Sequence, residues 1–374
     1  MAQAISLISG SPLIGNPIVY NVTPEIYAAN RTFHRIIVRV YAKLETDDDC
    51  TTFDFSTPVE TKPSGLSYNT QPSQFDISSA LRAVADKYEY TPEPPERYPY
   101  IKFRIEAWDE WMINGDIYPQ QNIVAWPSLP VGNNQFYGYA FMGAFNDIER
   151  MNAQVDQYNV ESLDTSVMSR KPTSSPEVVF ASNEFVYPSQ FTRSILDTDH
   201  MSDGASPQFV GGAPAGGPRS LIYTPRTEGA AIIGGHNIYA IDRPNNGYEI
   251  RFVNGLGCVE SVHATSLTKK ESNIHTEKYT IARQETLKKF SRAITVKTED
   301  YETWTLSSGP LDEAWVSWYV HEFLMAQVMW IKVGDTWIPC HVLPEETTTM
   351  RDTEKASMMS VQFRLQMDIN GSVK

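Results

Sequence analysis

VQFRLQMDI, residues Val361 to Ile369, alternates without a fault. Val361, Phe363, Leu365, Met367 and Ile369 are apolar, and Gln362, Arg364, Gln366 and Asp368 between them are polar. Period two over this length is a strand with one buried face. Working back from it, Ser272–Ala282 alternates in the same way and Ser291–Glu299 is a second β-rich run. Between these runs and the last strand lies LDEAWVSWYVHEFLMAQ, Leu311–Gln327, which reads as a helix. Pro310 suits its first turn, and Asp312 and Glu313 suit the positive end of its dipole. Glu313, Ser317 and His321, four apart, form one polar row. Leu311, Ala314, Trp315, Val316, Trp318, Tyr319, Val320, Phe323 and Met325 fill most of the remaining wheel, so this helix is expected to be covered on most sides. Its aromatic residues Trp315, Trp318, Tyr319 and Phe323 are the candidate subunit-interface residues. Gly334-Asp335 supplies a turn, and the stretch from Lys270 to Gly371 reads as strand, strand, helix, hairpin, strand: a small β-barrel or sandwich with one packed helix.

The rest of the chain is β-rich as well, so the expected fold class is mainly β, with β-sandwich or β-barrel domains that each carry one helix. Ile5–Val22, punctuated by Gly and Pro, reads as short edge strands. Phe33–Leu44 is a firm strand. Glu45–Gln74 is a long polar loop. A short helix is expected over Ile77–Tyr88, capped by Asp76 or Ser78. Tyr100–Trp108 alternates cleanly, and Asn114-Gly115 after it is a hairpin signal. Residues 1–125 thus form a first domain. Regular periodicity fades over 126–227, a loop-rich middle segment that includes FYGYAFMGAF (136–145), a short helical stretch at Asn146–Gln157 and the Gly/Pro-rich run Gly204–Pro218. Strands return at His236–Ile241, Tyr248–Val253 and Cys258–His263, and the C-terminal domain is placed at 228–374.

Composition narrows the function. With 41% apolar and 20% charged residues over 374 positions, the chain is globular and long enough for two or three cores. A net charge of −14 argues against general nucleic-acid binding. One stretch runs the other way. From Lys269 to Asp300 there are eight Lys/Arg (Lys269, Lys270, Lys278, Arg283, Lys288, Lys289, Arg292, Lys297) against five acids. That is the pattern of a solvated face or of a surface for an acidic protein. Cys50, Cys258 and Cys340 lie far apart, with neither disulfide nor metal spacing, which fits a reducing compartment. The beginning of the chain lacks the form of a signal peptide, and no stretch approaches membrane-spanning length. The expectation is synthesis in the cytoplasm.

Catalytic patterns fail on inspection. His321-Glu322 opens like a zinc-protease motif, but Met325 stands where the second histidine is required. His200 with Asp197, Asp199 and Asp203 misses the calcium-loop spacing. Cys340 and His341, adjacent on a strand, point to opposite faces. Glu106, Asp109 and Glu110 beside Trp108 and Trp111 offer carboxylates next to aromatic platforms, the raw material of a sugar hydrolase. A non-catalytic glycan site built from Trp108, Trp111, Tyr118 and Trp126 is the stronger form of that idea. No enzyme, no cofactor and no metal are expected.

FVNGLGCVE (252–260), YTIARQE (279–285), YETW (301–304) and WIPCH (337–341) resemble blocks in virion proteins of tailed phages that infect Bacteroidales, and Phe75–Trp111 belongs to the same pattern. The resemblance covers most of the chain except Ser202–Thr227. It implies a structural protein of the tail, tail tip or baseplate that partners copies of itself in a ring and other tail or neck proteins, located in the virion. It transfers no site residues.

Overall fold

The computed structural model describes residues 4–10, 13–23, 32–46, 55–64, 72–113, 116–118, 135–144, 169–173, 175–189, 200–201, 208–209, 219–233, 236–281, 292–343 and 359–367. The protein is mainly β, with helices packed against its sheets.

The first unit is a sandwich. One layer is a three-stranded sheet made by β1 (Ala4–Gly10), β2 (Ile18–Thr23) and β5 (Ser73–Asp76), in the order β1-β2-β5. The other is built on β3 (Thr32–Glu45), with β4 (Glu60–Pro63) on one side and the long β6 (Tyr100–Ile113) on the other. Both β7 (Asp116–Tyr118) and β8 (Gln135–Phe141) pair with β6. Alternation puts Ile36, Val38 and Val40 of β3 and Ile101, Phe103, Ile105 and Ala107 of β6 on the inner face. There they meet Tyr20 and Val22 of β2 and helix α1 (Ser78–Ala85). The helix is shorter than its apolar pattern, because the chain turns out of helical geometry at Asp86–Lys87. Asp76 works from outside the helix, accepting hydrogen bonds from Ser78 N (2.9 Å) and Ile18 N (3.1 Å), so it ties the helix start to β2. Because β8 completes this sheet, the first unit reaches past residue 125 to the segment at 141–144.

The middle of the chain holds more strand than its composition suggests. Four strands form one sheet: β9 (Glu177–Phe180), β11 (His200–Met201), β14 (Gly229–Ile233) and β15 (His236–Ile241), with β9 and β15 parallel. A second sheet joins β10 (Phe185–Ser189), β12 (Gln208–Phe209) and β13 (Arg219–Tyr223). Their shared core includes Val179, Phe185, Leu221, Ile233 and Ile238. Strands β14 and β15, expected to open the C-terminal domain, pair with β9 and β11 instead. The expected helix at Asn146–Gln157 and most of Gly204–Pro218 lie outside the described residues.

The last unit is a seven-stranded sheet that curls around α2. Its strands are β16 (Tyr248–Val253), β17 (Val259–Ala264), β18 (Ser266–Ile281), β19 (Arg292–Leu311), β20 (Met329–Val333), β21 (Thr336–Val342) and β22 (Met359–Met367). The order is β17-β16-β20-β21-β22-β19-β18. Its two outermost strands, β17 and β18, are one run of chain bent at Thr265, whose N–H donates to Ser307 O at 2.9 Å. The sheet's ends are therefore drawn together, and its inner face wraps a core of Phe252, Val262, Leu306, Ile331, Val361, Phe363 and Leu365. The alternation of β22 is as expected: Val361, Phe363, Leu365 and Met367 are buried and Gln362 is exposed.

Helix α2 (Glu313–Trp318, continued by a π-turn over Tyr319–Phe323) fills that curl, and it corrects the expectation for 311–327. Leu311 and Pro310 belong to β19, paired with Met359 and Ser360. Gly309, at φ +80°, and the register shift between Ser307 and Pro310 bend the strand into the helix. Asp312 is the true cap, its Oδ1 accepting from Trp315 N at 2.9 Å. The expected covering on most sides also needs correction: Glu313, Ala314, Ser317 and His321 face solvent, and Met325, beyond the helix, is 72% exposed.

Candidate functional site

The polar chemistry of this chain is concentrated where the three units meet. Just before β9 a strap of chain, described at 169–173 and 175–177, lies against the end of the first unit. Its composition (SRKPTSSPE) reads as a plain loop. In the fold it carries two ion pairs. Lys171 is fully buried, and its Nζ donates to both carboxylate oxygens of Glu177 (2.8 and 2.9 Å) and to Ser261 O of β17 (2.6 Å). His236 Nε2 lies 2.9 Å from Glu177 Oε2. Above the ammonium stand the rings of Phe185 (4.8 Å) and Trp318 (5.6 Å). Burial alone would push the Glu177 carboxyl up. The Lys171 ammonium and His236 outweigh it and hold the carboxyl below its ordinary value.

Arg170, the neighbouring residue, reaches the other way. Its Nη1 pairs with Glu322 at 2.8 Å and its Nη2 donates to Ala144 O at 2.6 Å. Glu322 also accepts from Gly255 N at 2.6 Å. The π-turn makes this possible. Leu324 N bonds back to Tyr319 O, and the widened turn faces both Glu322 and Phe323 inward. The Asn254–Cys258 turn is itself fixed by Asn254. Its Oδ1 accepts from Leu256 N and Cys258 N, and its Nδ2 donates to Glu260 Oε1 at 2.6 Å. The first unit clasps the same turn: Ala144 N donates to Gly255 O (2.7 Å), Tyr90 Oη to Gly257 O (3.1 Å) and Tyr98 Oη to Val259 O (2.9 Å). Around these bonds Leu13, Tyr98, Tyr100, Phe141, Leu256, Cys258 and Val259 form an apolar seam.

On the far side of β16, Arg251 is 1% exposed. It pairs with Glu184 (2.7 Å) and Glu249 (3.2 Å), donates to Pro92 O (2.9 Å) and lies 4.4 Å from the Trp337 ring. One arginine thus touches all three units. These ion pairs and hydrogen bonds position the three units against one another.

Among the buried groups with unmet polar atoms, Glu260 and His263 stand out. Glu260 Oε2 and both ring nitrogens of His263 find no hydrogen-bond partner among the described residues. Burial pushes the Glu260 carboxyl up to about 7 and the His263 imidazole down to about 3. The pH consequences oppose each other. Glu260 binds its proton more tightly in the folded chain, so its contribution is complete below its ordinary value of 4.5 and is lost as pH rises through 7. His263 resists protonation when folded, so its contribution is complete above 6.5 and is lost as pH falls toward 3. Glu260→Gln isolates the first effect. Urea unfolding is expected to show the variant close to the parent at pH 5 and more stable than it at pH 8. A constant difference across that range would contradict this reading of Glu260.

The residues singled out from sequence do not come together at this junction, apart from Trp315 and Trp318. Trp108 is buried on the outer face of β6, with the Arg39 guanidinium 4.7 Å from its ring. It is no open glycan platform. Trp111 stands opposite Tyr118 in the β6–β7 register, and Trp126 lies outside the described residues. Glu106 and Glu110 are salt-bridged to Arg104 (3.1 Å) and Arg35 (2.6 Å). Trp315, Trp318, Tyr319 and Phe323 are at most 5% exposed, packed on one another and on Phe252 and Phe363. They serve the chain's own core and offer no surface to a second copy. Cys258 and Cys340 are buried, and Cys50 lies outside the described residues. No three His, Cys, Asp or Glu side chains among the described residues converge as a metal site, and no described helix is long and apolar enough to cross a membrane.

A second feature is made of backbone. Strands β18 and β19 pair from Ser266↔Ser307 to Ile281↔Arg292. Their neighbour β22 stops at Glu302↔Met367. Residues 273–281 and 292–301 thus continue as a two-stranded ribbon with no third strand beside it among the described residues. Nine rows of antiparallel pairing are about 30 Å of ribbon. In these rows Lys278, Arg292 and Lys297 are matched by Glu277, Glu299 and Asp300, and the basic surplus of the sequence stretch lies at 269–270 and 282–291. Compared with known proteins, the chain matches no family model and no curated protein sequence.

Proposed function

We propose that this chain is a structural subunit of a tailed-phage virion, of the tail, tail tip or baseplate, which works by self-assembly into a ring and performs no catalysis. The observation that carries the reading is the β18–β19 ribbon. A two-stranded hairpin is marginal in water when nothing packs against it, and its unpaired edges are ready to receive another chain. Nine rows beyond the supporting sheet are an arm that wants a partner. From 273 to 301 the sequence carries six Lys/Arg against four Asp/Glu, on a chain of net charge −14, so another copy of the chain attracts the arm. The junction supports the same role. Its ion pairs and interlocked turns tie the three units together, which suits a subunit that must hold an arm at a fixed angle. Resemblance of the 252–260, 279–285, 301–304 and 337–341 blocks to phage virion proteins supplies the particle.

The test is a chain in which Asn-Gly replaces residues 274–300, so that the paired residues Asn273 and Tyr301 are joined by a tight turn. The expected result is loss of self-association with an unchanged urea midpoint. Association that survives the shortening contradicts the assignment of the arm.

A further inference from the structure

The turn at the junction begins with Asn254-Gly255, a dipeptide that can lose ammonia from its own asparagine. Gly255 has no side chain to keep its nitrogen away from the Asn254 amide. In the reaction that nitrogen bonds to Asn254 Cγ, the Cγ–Nδ2 bond breaks, and the Gly255 N–H proton leaves with Nδ2 as ammonia. Water then opens the five-membered imide at either carbonyl. Residue 254 becomes aspartate or, with one methylene more in the backbone, isoaspartate. A bulkier neighbour would slow this, but a Cβ at 255 would collide with Arg170 Nη1. The docked junction blocks the reaction instead. Asn254 is 3% exposed. Its Oδ1 accepts from Leu256 N (3.0 Å) and Cys258 N (2.8 Å), and its Nδ2 donates to Glu260 Oε1 (2.6 Å), so Cγ is held in place. In the imide, Cγ takes the position of the Gly255 hydrogen. In the fold that hydrogen points at Glu322 Oε1, 2.6 Å from the nitrogen, and the carboxylate fills the position. Arg170 holds Glu322 there at 2.8 Å and is itself bonded to Ala144 O of the first unit. Ala144 N and Tyr90 Oη, also of the first unit, donate to Gly255 O and Gly257 O.

We propose that Asn254 is a latent deamidation site that records opening of the junction: the docked chain keeps it intact, and a chain whose first unit lifts off converts it and cannot dock again. The second half follows from the partner of Nδ2. Aspartate at 254 sets a second buried carboxylate against Glu260 where a donor stood. Isoaspartate lengthens the turn between the two carbonyls that the first unit clasps. An opened chain is thus withdrawn permanently. Neither half depends on the ribbon or on assembly.

The full chain is incubated at pH 8, intact or in concentrated urea, digested at intervals and read by mass spectrometry for the change of amide to acid at 254. Conversion is expected to be at least about tenfold slower in the intact chain than in urea. Tyr90→Phe, which removes one clasping bond, is expected to raise the rate at 254 about fivefold, and Gly143→Ala to raise it further. Asn246-Gly247, the same dipeptide with an exposed asparagine on another turn, is the internal reference, and its rate is expected to stay the same in both variants. Conversion at 254 as fast in the intact chain as in urea overturns the shielding, as does a rate untouched by both variants. Asn254→Asp tests the second half with a homogeneous product. It is expected to speed hydrogen exchange at 254–259 and 141–144 at least about tenfold at pH 8 while β22 keeps its protection. Parental exchange in that variant overturns the claim that a converted chain cannot dock.

Discussion

Lys171→Met is expected to cost about 3–5 kcal/mol of folding stability, the size of loss seen when one partner of a buried ion pair is removed. Glu177 would keep its burial and lose two hydrogen bonds and the charge that holds it ionised. With that charge gone, burial would favour its protonated form. Ser261 O would lose its donor as well. Methionine keeps the volume between Phe185 and Trp318, so the loss reports charge rather than a cavity. The double change Lys171→Met with Glu177→Leu is expected to recover most of it, because a buried pair replaced whole by apolar groups is often close to neutral. Urea unfolding of the four chains at pH 7 gives the coupling directly. A single-variant loss under about 1 kcal/mol would mean that water reaches the pair and that the strap is a surface feature.

The second large effect is steric. Gly143 has φ +101°, and a Cβ placed on it meets Gly255 O at 2.4 Å and Leu256 Cα at 2.5 Å. Gly257, at φ +81°, meets Met142 with equal severity, its Cβ 2.4 Å from the Met142 Cβ and 2.7 Å from the Met142 carbonyl carbon. The two turns interlock backbone to backbone, and only glycine permits either the approach or the dihedral. Gly143→Ala is therefore expected to cost about 3–5 kcal/mol, the sum of a left-handed alanine and an overpacked contact. The damage should be directed. The Ala144–Gly255 and Tyr90–Gly257 hydrogen bonds break first, so hydrogen exchange should rise at 254–259 and 141–144 while β18, β19 and β22 keep their protection. Uniform loss of protection across the chain would show that the units do not unfold separately. Gly334→Ala is the control, since nothing lies within 4 Å of its added Cβ and its cost is dihedral only.

How much of this could be read from the sequence depends on distance along the chain. Strands β3, β6 and β22 were legible because alternation is local, and each buries the face that its pattern marks. Helix α2 was legible in kind but not in extent. Its apolar pattern continues through Leu311 and Met325, and only the pairing of Pro310 with Ser360 and the i+5 bond at Tyr319 decide where it stops. The buried strap was not legible. Arg170 and Lys171 find Glu322 and Ser261 at separations of 152 and 90 residues, and no window of sequence contains both members. A proline-rich basic stretch gives no hint that its lysine will be fully buried. Trp108 was misjudged for a related reason. A tryptophan among carboxylates looks like a binding platform until the β3–β6 register brings Arg39 over its ring.

Assembly through the ribbon is the central claim, and it has a direct measurement. Size-exclusion chromatography with light scattering, run on the intact chain over a hundredfold range of concentration and at low and high salt, reports its mass in solution. A closed ring of several 42.2 kDa subunits is expected, favoured at higher concentration and weakened by salt because the arm's cations meet an acidic body. A mass of one subunit at every concentration and salt would contradict it.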